Sequence, residues 1–521
     1  MNWKPGQFPP MRSESHYGSR VVDCFIDRPS NLYALLADSA ARAPQAEALV
    51  GAGQRFSWSG LQAEVDRVAS ALAAQGIIRG DRVVMVMGNS PAFVITLFAL
   101  FRLGAVAVPV SVRSAPAEVG FVIDNTTARL VVHDAPLANL IPQGAACPGI
   151  AFDALNGAAP LPALADLPGE EEVAMILHTS GTTGKPKGAM LTHLAVIHAA
   201  MYYEAVLDLT PADRVVATVP LNHLTGITGL IGSSVRSGAT LIIMDGFKAR
   251  DFLDLAEAER MTFTLMVPAM YNLCLLQPDF TQRDLSAWRL AAYGGAPMPE
   301  PTIRRLAEAI PALTFANCYG ATEVTCSQLV TPRAFAVSKR ECVGIPLPGM
   351  QVRIMDDQGR EVPPGTEGEI WMAGPNVVPG YWNNPEATAK SFVGGYWRSG
   401  DIGMADADGF IRVLDRAKDM INRGGLKIYS AELENVLTDH PAVVEAAAVA
   451  RPCPVLGERV HAMVTVRAEV SAEGLTAWCR ERLSDYKVPE TLDISTNPLP
   501  RNANGKVDKK VIREGLEPYR R

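Results

Sequence analysis

Residues 179–188 read Thr-Ser-Gly-Thr-Thr-Gly-Lys-Pro-Lys-Gly, with four hydroxyls, three glycines and two lysines in ten positions. Such a stretch can hold an anion. Gly181 and Gly184 let the backbone turn its N–H groups toward one point. Thr179, Ser180, Thr182 and Thr183 add hydroxyl donors, and Lys185 and Lys187 add positive charge. A chain of phosphates is the natural guest. A Gly/Ser/Thr-rich loop can also be a plain solvated connection. Here the apolar run Val173–Leu177 ahead of it reads as a strand, and together with the paired lysines it favours the phosphate reading. No G-x-x-x-x-G-K-[ST] occurs, which excludes a P-loop nucleotide hydrolase, and no G-x-G-x-x-G occurs, so a dinucleotide fold lacks its fingerprint.

A phosphate loop needs a frame, and the chain around it has the rhythm of one. Ser59-Gly-Leu-Gln62 matches a capping box, and Leu61, Val65, Val68, Ala69 and Leu72 follow a helical period that Gly76 ends. Asp81–Met87 reads as a buried strand, Pro91–Leu103 as a helix and Ala128–Val132 as a strand. Beyond residue 210, Arg214–Thr218 and Thr240–Met244 continue the pattern. Alternating helices and short apolar strands predict an α/β fold with mixed, largely parallel sheets flanked by helices. Near residue 345 the texture changes to a small β unit, with short strands near 352–355, 368–372 and 409–413 between Gly, Pro and Asp turns. The charged segment Asp415–Asp419 then leads to a last α+β piece of domain size. The expected domains are 1–415 and 416–521.

With 521 residues the chain is too long for one ordinary core. Its net charge of −7 argues against broad nucleic-acid binding, which needs a concentrated basic surface. The eight cysteines form no C-x-x-C and no zinc spacing with histidine, as expected of reduced thiols in a cytoplasmic protein. The N-terminal residues lack the apolar core of a secretory signal. The longest apolar run, Phe93–Val110, is broken by Arg102 and Pro109 and reads as a buried helix followed by a strand, not as an integral membrane segment. A homodimer is compatible with this composition.

The loop resembles the phosphate-binding signature of the adenylate-forming superfamily, which includes acyl-CoA synthetases, beetle luciferases and the adenylation domains of peptide synthetases. Seven further motifs follow in that superfamily's order: Pro220-Leu-Asn-His223, Tyr293-Gly-Gly-Ala-Pro297, Tyr319-Gly-Ala-Thr-Glu323, Trp397-Arg-Ser-Gly-Asp401, Asp415-Arg-Ala-Lys418, Gly424-Gly425 and Asn504-Gly-Lys506. The fatty acyl-CoA ligase branch is the most similar. The resemblance implies two half-reactions. A carboxylate attacks the α-phosphate of ATP to give an acyl-adenylate and pyrophosphate, and the thiol of coenzyme A then takes the acyl group.

The resemblance also implies roles. Glu323 is a hard oxygen ligand for Mg²⁺, Thr322 donates to the α-phosphate, and His223 belongs to the catalytic set. Asp401 accepts from the ribose hydroxyls, with Arg416 nearby. Gly294, Gly295 and Ala296 line the adenine, together with Tyr319 and Gly320. Lys506 is the mobile lysine on the carboxylate and α-phosphate. The small C-terminal domain turns about a hinge near Lys418 and brings Gly425 to the pantetheine arm. His178 and His193 match no such role and read as structural. Lys427, Asp415 and Asn222 depart from what many relatives carry there.

The acyl partner expected is a hydrophobic carboxylic acid. Residues 224–234, 293–297 and 318–321 are small, apolar and uncharged, and no Asp stands near Thr225 to hold an ammonium group, which argues against amino-acid activation. A fatty acid is expected first and a benzoate- or cinnamate-like acid second. The rival from another class is a catalytically silent binding protein of the same fold. Intact Lys506, Glu323 and Asp401 speak against it.

Overall fold

Ser90 starts one of the most buried helices among the described residues. Its side chain accepts from Phe93 N, Pro91 takes the first helical position, and Gly104 closes the far end in the left-handed region. The helix Pro91–Leu103 is buried nearly all round and apolar apart from Thr96 and Arg102, and the strand Val106–Pro109 follows it. This is the helix-then-strand reading of the long apolar run. Among the described residues no helix is long and apolar enough to cross a membrane.

The computed structural model describes residues 3–4, 6–179, 186–295, 298–501 and 507–519. The chain divides into two compact units, residues 1–352 with 371–398, and residues 353–370 with 399–521.

Two large sheets build the first unit, beside a two-stranded one of Met11–His16 and Arg20–Phe25. One has six strands in the order Lys187–Thr192, Val173–Thr179, Val106–Pro109, Arg82–Val86, Leu130–His133 and Gly149–Ala151. All its pairs are parallel except the first, a hairpin. The other has nine strands, parallel through Phe263–Met266, Leu290–Gly294 and Thr314–Gly320 and antiparallel at both edges. The α/β fold with mixed, largely parallel sheets is thus observed. The helix begins at Trp58, ahead of the expected start, because the side chain of Ser57 takes Gly60 N; Ser59, expected to be the cap, lies inside the first turn.

The second unit is α+β. Ile421–Arg423 and Leu426–Ile428 form a hairpin joined to Gly457–Val466, which pairs with Val443–Cys453 and Thr491–Ser495. Helices Ser430–Thr438 and Ala472–Arg480 cover a core of Ile421, Ile428, Leu433, Val460 and Leu475. Residues 399–415 belong to this unit, ahead of the expected boundary at 415/416. The reason is a set of polar ties. The Asp415 carboxylate accepts from Ser430 N at 2.5 Å and from Ser430 Oγ at 3.0 Å, and Tyr429 donates to Glu367. All eight cysteines are free thiols.

Candidate active site

The phosphate-type loop spans a hairpin. Thr179 ends one strand and Lys187 starts the other, in register with each other, and the Thr179 hydroxyl donates to Lys187 O at 3.4 Å. Ser180, Gly181, Thr182, Thr183, Gly184 and Lys185 lie outside the described residues. Gly188 has a packing reason of its own, since a Cβ there would lie 2.7 Å from Ile176 Cγ2. A third segment runs along the hairpin. Met190 N donates to Gly380 O at 3.1 Å, Trp382 N donates to Gly188 O at 2.7 Å, and Ala189 pairs with Tyr381. The Lys187 ammonium stands 5.1 Å from the centre of the Tyr381 ring, within cation–π range.

The same segment reaches a buried carboxylate. Glu323 sits in a single tight turn, Thr322–Val324, just after the strand Thr314–Gly320, and is 8% exposed. The Tyr381 hydroxyl donates to Glu323 Oε1 at 2.9 Å. Val378 N donates to Glu323 O at 3.0 Å, and Asn376 Nδ2 donates to Val324 O at 2.6 Å. Burial first, and then the Glu323 charge, push the Tyr381 phenol above its ordinary range, so it stays a donor. A buried carboxylate that follows Thr322 in one tight turn is a hard-oxygen donor, which suits Mg²⁺. Among the described residues one other group has metal-like spacing, Glu14, His16 and Cys24. Arg28 donates to Glu14 at 2.7 Å there, and burial pushes the Cys24 thiol up to about 12, so that group reads as an ion-pair knot.

The glycines of the adenine motif are explained in part by their own sheet. Gly294 pairs with Cys318, and a Cβ on Gly294 would lie 2.5 Å from Cys318 O. A Cβ on Gly320 would lie 2.0 Å from Cys326 O. Gly295 has a φ of +78°, which favours glycine. Tyr319 pairs with Leu329, and Ala296 lies outside the described residues.

His223 precedes a wide helical turn of π type, Thr225–Gly232. Its N donates to Pro220 O at 3.2 Å and its carbonyl accepts from Ile227 N at 3.0 Å. Gly226 is required there, because a Cβ would lie 2.6 Å from Pro220 O. Asn89 pins the approach to this turn, donating to Val219 O at 3.0 Å and accepting from Leu221 N at 2.8 Å. A π turn of this kind is rare and is commonly found at functional sites.

In the second unit Asp401 and Arg416 face each other across a hairpin, and Arg416 Nε lies 2.9 Å from Asp401 Oδ1. Asp401 is buried and Arg416 is exposed. Gly424 and Gly425 join two short strands as a two-residue turn with φ of +60° and +94°. Positive φ at both central residues is what the tightest hairpin turns need. Lys506 lies outside the described residues. The sequence motifs thus meet in two groups, Lys187 and Glu323 on Tyr381 with Thr179 paired to Lys187, and Asp401 with Arg416. Tyr381 and Asn376 were not singled out in the sequence. Their one local signal is Gly380-Tyr381 within an apolar stretch, and their contacts with Glu323 and Val324 lie more than fifty positions away in the chain.

A family model described as AMP-binding enzyme matches residues 36–382, and another, AMP-binding enzyme C-terminal domain, matches residues 432–506. The chain belongs to the AMP-binding enzyme family. Among its relatives is a feruloyl-CoA synthase of an Amycolatopsis species, 36% identical over 478 residues, which cover 90% of this chain and 96% of the relative. A long-chain-fatty-acid–CoA ligase of Mycobacterium tuberculosis is 35% identical over 474 residues, 88% of this chain and 93% of the relative. The o-succinylbenzoate CoA synthetase of Bacillus subtilis, solved with its acyl-adenylate intermediate, superposes with a TM-score of 0.84 at 30% identity, covering 95% of this chain and 99% of that one. The resemblance to adenylate-forming enzymes read from the ordered motifs therefore holds, and these relatives, too, are named as synthetases or ligases of CoA.

Proposed function

We propose that the protein is an AMP-forming acid–thiol ligase that uses ATP, Mg²⁺ and coenzyme A to convert a hydrophobic carboxylic acid to its CoA thioester. The observation that carries this reading is the chain Lys187–Tyr381–Glu323. It sets a cation of the phosphate-loop hairpin and a buried carboxylate on one aromatic side chain. Adenylation brings two anions together, so charge must be neutralised and the partners held in place. Residues 179–187 hold the phosphate chain, with Lys187 supplying charge. Glu323 holds Mg²⁺, which when bound screens the phosphate oxygens. Thr322 donates to the α-phosphate, and His223 stands at the acyl side. Asp401 and Arg416 take the ribose, Gly294, Gly295, Ala296, Tyr319 and Gly320 lie along the adenine, and Gly425 serves the pantetheine arm. Lys506 binds the substrate carboxylate and α-phosphate in the first half-reaction, and the C-terminal residues pivot near Lys418 for the second. Residues 1–415 and 416–521 are the corresponding functional halves, and the setting is cytoplasmic.

For the acyl group a fatty acid is the first reading. An aromatic acid is the second, and the feruloyl-CoA synthase among the relatives favours it. The segment after His223 is apolar and small in either case, with buried Ile227, Leu230 and Ile231. The test is a panel of medium- and long-chain fatty acids, benzoate-, cinnamate- and succinylbenzoate-type acids, each with ATP, Mg²⁺ and CoA, read by thioester formation and pyrophosphate release. Thioester with hydrophobic acids supports the proposal. Absence of pyrophosphate release with every acid would overturn it in favour of a silent binding protein.

A further inference from the structure

We propose that Tyr381 is a positioning residue for the nucleotide site: its hydroxyl fixes the Glu323 carboxylate while its ring seats Lys187, so that metal-side and phosphate-side groups are set by one side chain. The proposal rests on the reading of Glu323 as the Mg²⁺ carboxylate.

Three observations place Tyr381 in this role. The first is the backbone. Residues 380–382 are hydrogen-bonded to the hairpin through Met190 and Gly188, while Val378 and Asn376 are hydrogen-bonded to the turn that carries Glu323 and Val324. Two segments far apart in sequence are thus tied to one short strap. The second is the direction of the phenol proton. An ionised carboxylate can only accept, so the phenol proton goes to Glu323 Oε1, 2.9 Å away. With Oε1 held, rotation of the carboxylate is fixed, and so is the direction in which it presents its lone pairs. The third is the ring. Its edge packs on Phe392 at 5.6 Å between centroids and its face carries the Lys187 ammonium. The phenol is buried, so it needs a partner wherever it lies. What goes beyond mere satisfaction of a buried hydroxyl is that one residue reaches both charged groups of the site.

Groups that orient a metal-binding carboxylate without touching the metal commonly change metal affinity 10–100-fold when removed. Tyr381→Phe deletes the hydroxyl and keeps the ring, so the seat of Lys187 and the contact with Phe392 remain. We expect Tyr381→Phe to raise the dissociation constant of Mn²⁺ from the complex of enzyme with a non-hydrolysable ATP analogue by about tenfold. The readout is electron paramagnetic resonance of free Mn²⁺, and it needs no turnover. Binding of the analogue in EDTA is expected to stay within about twofold of wild type. Glu323→Gln is the reference. If Tyr381 acts through Glu323, the double variant matches Glu323→Gln alone. Additive shifts in the double variant, or an unchanged Mn²⁺ constant in Tyr381→Phe beside a raised one in Glu323→Gln, would overturn the positioning role. An unchanged constant in Glu323→Gln itself would remove Glu323 from the metal site and the proposal with it, a pattern distinct from the other two.

Discussion

Glycine at 320 is demanded by the sheet before any nucleotide is considered. A Cβ there would sit 2.0 Å from Cys326 O, a backbone atom that cannot swing aside. At Gly295 a Cβ meets only Val267 Cγ1 at 3.9 Å, and the obstacle is φ of +78° instead. The two changes therefore separate packing from site chemistry. We expect Gly320→Ala to destabilise the first unit by about 2–4 kcal/mol, since overpacking against backbone is costly. Gly295→Ala should cost only about 1–2 kcal/mol in backbone strain. Melting temperature and the KM for ATP, measured on both variants, check this. A Gly320→Ala protein as stable as wild type would show that the strand can move aside.

At the scale of elements, the histidines make the clearest case. His198 donates from Nδ1 to Leu194 O at 2.9 Å and accepts Phe25 N–H at Nε2 at 3.1 Å, which only the neutral ring can do. His193 accepts Leu32 N–H at Nδ1, 3.2 Å away, at the start of the helix Leu32–Arg42. Burial pushes His178, His193 and His198 each down to about 4. In the unfolded chain an imidazole titrates near ~6.5. Below that pH the unfolded state gains protons that the folded state refuses, so this stability is complete above ~6.5 and lost as pH falls toward 4. Each histidine should remove about 2 kcal/mol at pH 5 relative to pH 7.5, from about 1.4 kcal/mol per pH unit. Urea unfolding at the two pH values measures the sum, to which the buried His461 adds in the same direction, and His198→Gln should lessen the dependence by its own share. An unfolding midpoint independent of pH over this range would contradict the neutral rings.

The Gly424–Gly425 turn yields a second element-scale prediction. Both residues have positive φ, and a Cβ on Gly425 meets nothing within 4 Å. Asn tolerates the left-handed region, so Gly425→Asn should keep the hairpin within about 1 kcal/mol. Gly425→Leu should strain it by about 1–2 kcal/mol. If Gly425 also borders the pantetheine arm, Gly425→Asn should slow thioester formation while ATP–pyrophosphate exchange stays near wild type. Equal loss of both activities with an unchanged melting temperature would count against that role.

These elements differ in how far their causes lie in the local sequence. Pro91–Leu103 was legible because an N-terminal Ser-Pro and a closing Gly bracket a mostly apolar run. The cap at Ser57 was not, because two serines stand two residues apart and only the fold decides which hydroxyl meets Gly60 N. Thr225–Gly232 reads as an ordinary apolar stretch, and its π turn comes from Gly226 closing on Pro220 and Leu221. The charged groups of the site were legible as ordered motifs. Tyr381 was not, because its role lies in a contact 58 positions away.

For the whole molecule, the question is whether one lysine separates the two half-reactions. Asp415 lies just ahead of Lys418, and its carboxylate holds Ser430, which also accepts from Lys509 Nζ at 2.7 Å; Lys509 in turn pairs with Glu434 at 2.6 Å. Burial raises both Asp415 and Glu434 above the usual carboxylate range, with Lys509 opposing it. Residues flanking the proposed pivot are therefore joined by a buried polar chain, and a pivot near Lys418 must break or carry it. If the pivot operates, Lys506→Ala should nearly abolish adenylation, by about a hundredfold or more in kcat, because positioned charge at the reacting phosphate is lost. A presynthesised acyl-adenylate should still pass to CoA at a rate within a few-fold of wild type. Asp415→Asn, which keeps the shape but not the charge facing Lys509, should leave adenylation chemistry intact and shift the ratio of the two half-reaction rates. Stopped-flow measurement of each half-reaction on the three proteins decides the matter. Equal loss of both half-reactions in Lys506→Ala would mean that the lysine serves a single static site and that no pivot divides the work.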